Sequence, residues 1–254
     1  MDSLLLIYSP QSLVICACVA MLAGVIKGMV GFGMPMVLIS GLSTFLAPEV
    51  ALAGLIFPTV FSNGFQAFRH GAGAAWSSLK RFRRFLLAGG LAMVISAQFV
   101  RWVPSSTLLL LIGVPVAFFA LSQLLGRPVR LTKPSARGEV AVGTVAGAIG
   151  GVSGVWGPPT VTYLTAIGTE KREQIRIQGV IYGLGALLLV AAHLGSGVLN
   201  AATVGLSAFL VLPALLGMWI GTHISDQIDQ KMFQRMTLFV LLLASLNLIR
   251  RAVF

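Results

Sequence analysis

Apolar residues run through this chain in long, evenly hydrophobic blocks, and polar residues gather in the short stretches between them. In the first half the blocks cover about 11–27, 34–47, 49–68, 85–102 and 104–125. In the second half they cover about 139–150, 158–168, 174–193, 200–222 and 235–250. A bilayer-crossing helix needs roughly 20 predominantly apolar residues. The pattern therefore predicts an all-α polytopic membrane protein with about 8–10 hydrophobic segments. The first two blocks of each half are short, and glycine and proline divide them. They read either as two thin spans or as one re-entrant hairpin, and both readings return the chain to the same side.

The divisions themselves repeat. Residues 27–36 read KGMVGFGMPM and residues 151–159 read GVSGVWGPP. Gly28 and Gly31 recur as Gly151 and Gly154 at an offset of 123, and His70 recurs as His193 at the same offset. One residue further, Pro35 recurs as Pro159, and Gly71 and Gly73 as Gly195 and Gly197. The most polar stretch lies between the copies. The predicted organisation is a first transmembrane repeat over 1–125, a linker over 126–138 and a second repeat over 139–254. Each copy has an odd number of segments, so the copies must run in opposite orientations, the inverted-repeat plan of many secondary transporters.

Composition supports the membrane reading. Of the 254 residues 57% are hydrophobic and 10% charged, with a mean hydropathy of +0.93, whereas soluble domains average about 25% charged. The net charge of +11 would suggest nucleic acid in a soluble protein. Here the basic residues sit in the short loops 69–84, 126–139, 169–176 and 225–235, which all fall on one side of the segment count. Only Lys27, Arg101, Arg250 and Arg251 lie elsewhere. That asymmetry is a positive-inside signal: those loops face the cytoplasm, both termini face out, and no nucleic-acid partner is implied. The N-terminal MDSLLLIYSPQSLVI lacks a basic region before its first apolar run, so no cleavable signal peptide is expected. Cys16 and Cys18 point to different sides of one helix and carry no disulfide expectation.

The breaks are where chemistry is expected. Irregular backbone at membrane depth is costly unless it is buried in protein or lines a cavity. Two pseudo-symmetric breaks are therefore expected to meet near the midplane. Each offers backbone N–H groups at the start of the following half-helix, and helix N-termini attract anions. Glycine lets the main chain approach a ligand closely, and proline is tolerated in a first helical turn. The candidate substrate-binding residues are Lys27, Gly28, Gly31, Gly33 and Pro35 in the first break. In the second they are Gly151, Ser153, Gly154, Trp156, Gly157, Pro158 and Thr160, with Thr162 as a further neutral donor. Lys27 reads either as an interfacial lysine that snorkels to the head groups or as a charge facing an anion path. Asn63 and Gln178 are amides in the middle of matched spans. Such amides need partners in lipid and serve either as helix–helix ties or as substrate ligands. His70 and His193 occupy matched positions and are candidate proton-coupling groups. Glycines such as Gly89, Gly90 and Gly183 point to close helix packing. No cofactor motif or metal-ligand cluster is present in the sequence, and oligomeric state is not encoded in any pattern.

With KGMVGFGMPMVLISGLS in the first half, GAIGGVSGVWGPPTVTYL in the second and FSNGFQAFRHG between them, the chain resembles the TauE/SafE family of sulfite exporter-like transporters. The likeness covers nearly the whole length. It implies an inner-membrane, multi-pass carrier of sulfur-containing anions such as sulfite, sulfonates or sulfoacetate-like compounds, working by alternating access. Trp156, Pro158 and Pro159 depart from a more glycine-rich second break and suggest a pocket for a bulkier anion. Two rival readings exist. Gly151-Val-Ser153-Gly154 fits the G-x-S-G pattern of rhomboid-type intramembrane proteases, with His193 as the base. A passive anion channel shares every residue argument with the carrier and differs from it only in flux kinetics.

Overall fold

The computed structural model describes residues 9–97, 105–126, 135–153, 157–195 and 198–253. All regular structure among them is α-helical. The first half contributes α1 (Pro10–Val30), α2 (Met34–Leu42), α3 (Pro48–Phe68), α4 (Ala72–Arg81), α5 (Arg83–Ala97) and α6 (Ser105–Leu124). The second contributes α7 (Ala136–Ser153), α8 (Gly157–Ala166), α9 (Lys171–Gly195), α10 (Val204–Gln227) and α11 (Gln230–Val253). Four described stretches are long and apolar enough to cross a membrane: Pro10–Val30, Val50–Phe68, Val204–Gln227 and Gln230–Val253.

The helices follow the apolar blocks closely, with one addition. Residues 69–84 read as a charged loop, yet ten of them form α4. The stretch is too polar to register as an apolar block. Only Ala75 and Ser78 turn inward, followed by Phe82. That spacing of three and four residues is a single helical stripe, enough to hold one face of a short helix.

The chain divides into two compact units. One contains α1, α2, α3, the later part of α9, and α10; the other contains α4 to α8, the start of α9, and α11. In the first unit α1 packs on α10 through glycine. Gly24 and Gly28 on α1, and Gly217 and Gly221 on α10, are each spaced by four. A Cβ at Gly24 would lie 2.8 Å from the Met218 N atom, and one at Gly28 would lie 2.8 Å from that of Thr222. The backbones are thus as close as small-residue crossings allow. Cys16, Ala20 and Ala23 of α1 join Met34, Leu38 and Leu42 of α2 and Leu206, Leu210 and Ala214 of α10 in the unit's apolar core.

In the second unit α5 and α7 cross in the same manner. A Cβ at Gly143 would lie 2.9 Å from the Phe85 Cα, and one at Gly147 would lie 2.6 Å from the Gly89 carbonyl carbon. Gly89 thus has the packing role read from sequence, whereas nothing lies within 4 Å of a Cβ at Gly90. Phe85 also stacks on Tyr163 of α8, with ring centroids 6.2 Å apart.

Candidate functional site

The first break is built by two left-handed glycines. Gly31 ends α1 with φ 86°, and its N–H donates to the Lys27 carbonyl at 2.7 Å. Gly33 precedes α2 with φ 93° and offers no side-chain cap. Other residues adopt this backbone only at a cost. With Phe32 buried between them, the two glycines stop one helix and start the next within three residues. Pro35 sits in the first turn of α2, where its missing N–H removes no helical bond. The first helical bond of α2 runs from the Val37 N–H to the Gly33 carbonyl at 3.1 Å. The amides of Met34 and Met36 therefore fall in the turn that has no intrahelical acceptor.

The carbonyl end of α1 poses the opposite problem, since its last C=O groups lack intrahelical N–H partners. Carboxamides meet it. Gln66 Nε2 donates to the Gly31 carbonyl at 3.0 Å. Hydrogen-bonding logic orients the Gln178 amide so that its nitrogen donates to the Gly31 carbonyl at 3.0 Å and the Val30 carbonyl at 3.3 Å. A Cβ on Gly31 would run into the Gln178 carboxamide and come within 3.2 Å of Gln66 Nε2. Glycine is needed here for both conformation and space.

Lys27 stands one turn before the break. Its side chain is 1% exposed, and its ammonium donates to Asn63 Oδ1 on α3. Among the described residues Lys27 is the one Lys, Arg, His, Asp or Glu side chain that is buried, and no described carboxylate pairs with it. Asn63 Nδ2 is buried without a partner there. The interfacial, snorkelling lysine read from sequence is therefore set aside: the ammonium is inside the protein. A buried cation without a counter-charge is costly, and it leaves a net positive site beside amides that also favour anions.

Asn63 belongs to a polar stripe that sequence reading recognised only in part. Thr59, Ser62, Asn63 and Gln66 are all buried on α3 at spacings of three and four. Ser62 Oγ lies 3.3 Å from Met34 Sδ, and Thr59 Oγ1 donates to the Leu55 carbonyl at 2.6 Å. Gln66 was missed although the signal was present, since four polar residues at helical spacing in an apolar span mark an inward face.

The second break lies in the other unit. Gly151 and Ser153 are in the last turn of α7, and Gly157 and Pro158 open α8, with Pro158 and Thr160 buried. Thr162 Oγ1 is buried without a partner among the described residues. Gly154 and Trp156 lie outside the described residues. His193 is within α9. His70 is exposed just after α3. Among the described residues no cluster of His, Cys, Asp and Glu is suited to a metal.

No curated protein and no solved structure matches this chain. A family profile does: the family described as sulfite exporter TauE/SafE matches residues 16–248, a span that includes both breaks, Lys27, the polar stripe of α3 and Gln178. An apolar helical chain with a buried lysine at a glycine break, held by Asn63 and without a carboxylate partner among the described residues, is thus matched over nearly all of its 254 residues, and it belongs to the sulfite exporter TauE/SafE family of membrane transporters.

Proposed function

We propose that the protein is a multi-pass, inner-membrane secondary carrier of small sulfur-containing anions, sulfite or organosulfonates, with Lys27 as the fixed counter-charge of the substrate. The observation that carries this reading is the Lys27 ammonium, buried beside the first break and held by Asn63 rather than by a carboxylate. An anion entering there gains the ammonium, the unpartnered Asn63 Nδ2 and the first-turn amides of α2. The Gln66 and Gln178 carboxamides keep the break open by occupying the α1 carbonyls. One buried cation balances one negative charge, so monoanionic forms such as hydrogensulfite or a sulfonate fit better than a dianion such as sulfate.

Alternating access follows from an inverted repeat. Its support is the recurring helix order: 21, 9 and 21 residues in α1–α3 against 18, 10 and 25 in α7–α9. The basic loops 69–84, 126–139, 169–176 and 225–235 face the cytoplasm in this scheme.

Proteoliposomes preloaded with unlabelled sulfite test the reading. Labelled sulfite or a methanesulfonate-like anion should accumulate transiently by counter-exchange, saturate with concentration and be outcompeted by monoanions. Linear, non-exchanging flux would make the protein a channel. No flux of any sulfur anion would remove the substrate assignment.

A further inference from the structure

Helix α4 and the start of α5 carry a cationic surface that transport at the break does not use. One side of this elbow is fixed to the protein. Ala75, Ser78, Phe82 and Phe85 are buried. Ser78 Oγ accepts from Arg176 Nε at 2.6 Å, and Arg81 pairs with Glu173 at 2.5 Å. The other side is exposed. Trp76 is 57% exposed, with the Lys80 ammonium 5.4 Å from its ring centroid. Arg83 and Arg84 are exposed, and neither forms an ion pair with a described residue. Residues 72–97 contain no Asp or Glu at all. The nearby acids are engaged, Glu173 by Arg81 and Glu139 by the Phe85 N–H at 3.3 Å.

Beyond Arg84 the exposed face changes character. Leu87 at 72%, Leu91 at 65%, Val94 and Ile95 are exposed, and they follow Arg84 by 3, 7, 10 and 11 positions. They form one stripe along the helix. At about 1.5 Å per residue the stripe runs about 17 Å from Arg84, close to the roughly 15 Å of one leaflet's hydrocarbon. A cationic head followed by one leaflet's depth of aliphatic surface is the complement of a single phospholipid. Arginine forks suit phosphate oxygens, and an amphipathic tryptophan suits the interface.

We propose that the α4–α5 elbow binds an anionic phospholipid, its phosphate between Lys80, Arg83 and Arg84 and an acyl chain along Leu87, Leu91 and Val94. The continuity of the apolar stripe with the basic cluster selects a lipid over free phosphate. The site is independent of the substrate assignment, because none of its residues is among those assigned to the substrate.

Native mass spectrometry of the delipidated full-length protein tests it, by titration with phosphatidylglycerol and phosphatidylcholine of the same acyl chains. Each basic residue near the surface contributes about a fivefold preference for anionic lipid, so phosphatidylglycerol should bind at least about tenfold more tightly. Glycerol 3-phosphate at equal concentration should not displace it. The triple variant Lys80→Gln/Arg83→Gln/Arg84→Gln should lose the preference, while Arg250→Gln, on the last turn of α11, should keep it. If the triple variant fails to insert, Arg84→Gln alone decides, with about fivefold weaker phosphatidylglycerol binding expected. Equal binding of the two lipids by the wild type, displacement by glycerol 3-phosphate, or an undiminished preference in the variants would overturn the proposal.

Discussion

Replacing Lys27 by methionine nearly keeps the length of the side chain and removes its charge, and transport should fall while stability stays close to that of the wild type. Two unit charges about 4 Å apart attract by about 4 kcal/mol at an effective dielectric near 20. Desolvation of the bound anion offsets part of that, which leaves about 2–3 kcal/mol, or about 30- to 140-fold in affinity. Stability responds differently. The wild type holds a fully buried ammonium with no acidic partner among the described residues, and such a charge costs several kcal/mol. Methionine relieves that cost but leaves Asn63 Oδ1 without its donor, which costs about 1–3 kcal/mol. Lys27→Met should therefore unfold near the wild-type temperature, and Lys27→Met/Asn63→Leu, which removes both penalties, should unfold above it. The assays are labelled sulfite uptake by proteoliposomes over a range of concentrations and thermal unfolding in detergent. Uptake by Lys27→Met within twofold of wild type would refute the role of the cation. A double variant clearly less stable than wild type would show that Lys27 is kept for structure.

Three other substitutions test neighbouring parts of the account. Gly31→Ala places an L residue at φ 86° and pushes on Gln178 and Gln66. It should lower stability by at least about 2 kcal/mol and reduce flux while the protein still inserts, as read by thermal unfolding and uptake together. Gly147→Ala, against the α5 backbone, should destabilise by about 1–3 kcal/mol, whereas Gly90→Ala, with nothing within 4 Å, should stabilise by about 0.5–1 kcal/mol; calorimetry of the pair checks the helix crossing. Arg69→Ala removes the pair with Asp226, whose side chains are 23% and 50% exposed. Its effect should stay under about 1 kcal/mol and shrink in high salt.

The apolar blocks were legible because a span must be almost continuously hydrophobic, and Gly31, Gly33 and Pro35 stood out because nothing else in such a block explains them. The burial of Lys27 was not legible. Its position at the end of an apolar run is the same for a snorkelling lysine and for an inward one, and only its placement against Asn63 of α3 decides between them. Gln178 was noticed as a polar residue in a span, but its task of holding the α1 carbonyls depends on contact across 147 positions of sequence. The glycine crossing of α1 and α10 had a local signal in GVIKG and GMWIG, which pairs only when both helices are seen. Helix α4 escaped notice because a short amphipathic helix is too polar to stand out as an apolar block. The protease reading of Ser153 has a direct check of its own: the wild-type protein should cleave no reporter helix, and cleavage that Ser153→Ala abolishes would revive that reading.

Selenite is a heavier analogue of sulfite with a strong anomalous signal, and its position in crystals of the protein tests the central claim most directly. The account predicts an anomalous selenium peak within hydrogen-bonding reach of the Lys27 ammonium and the first-turn amides of α2, absent from crystals of Lys27→Met. A peak remote from Lys27, or one that persists in that variant, would contradict it.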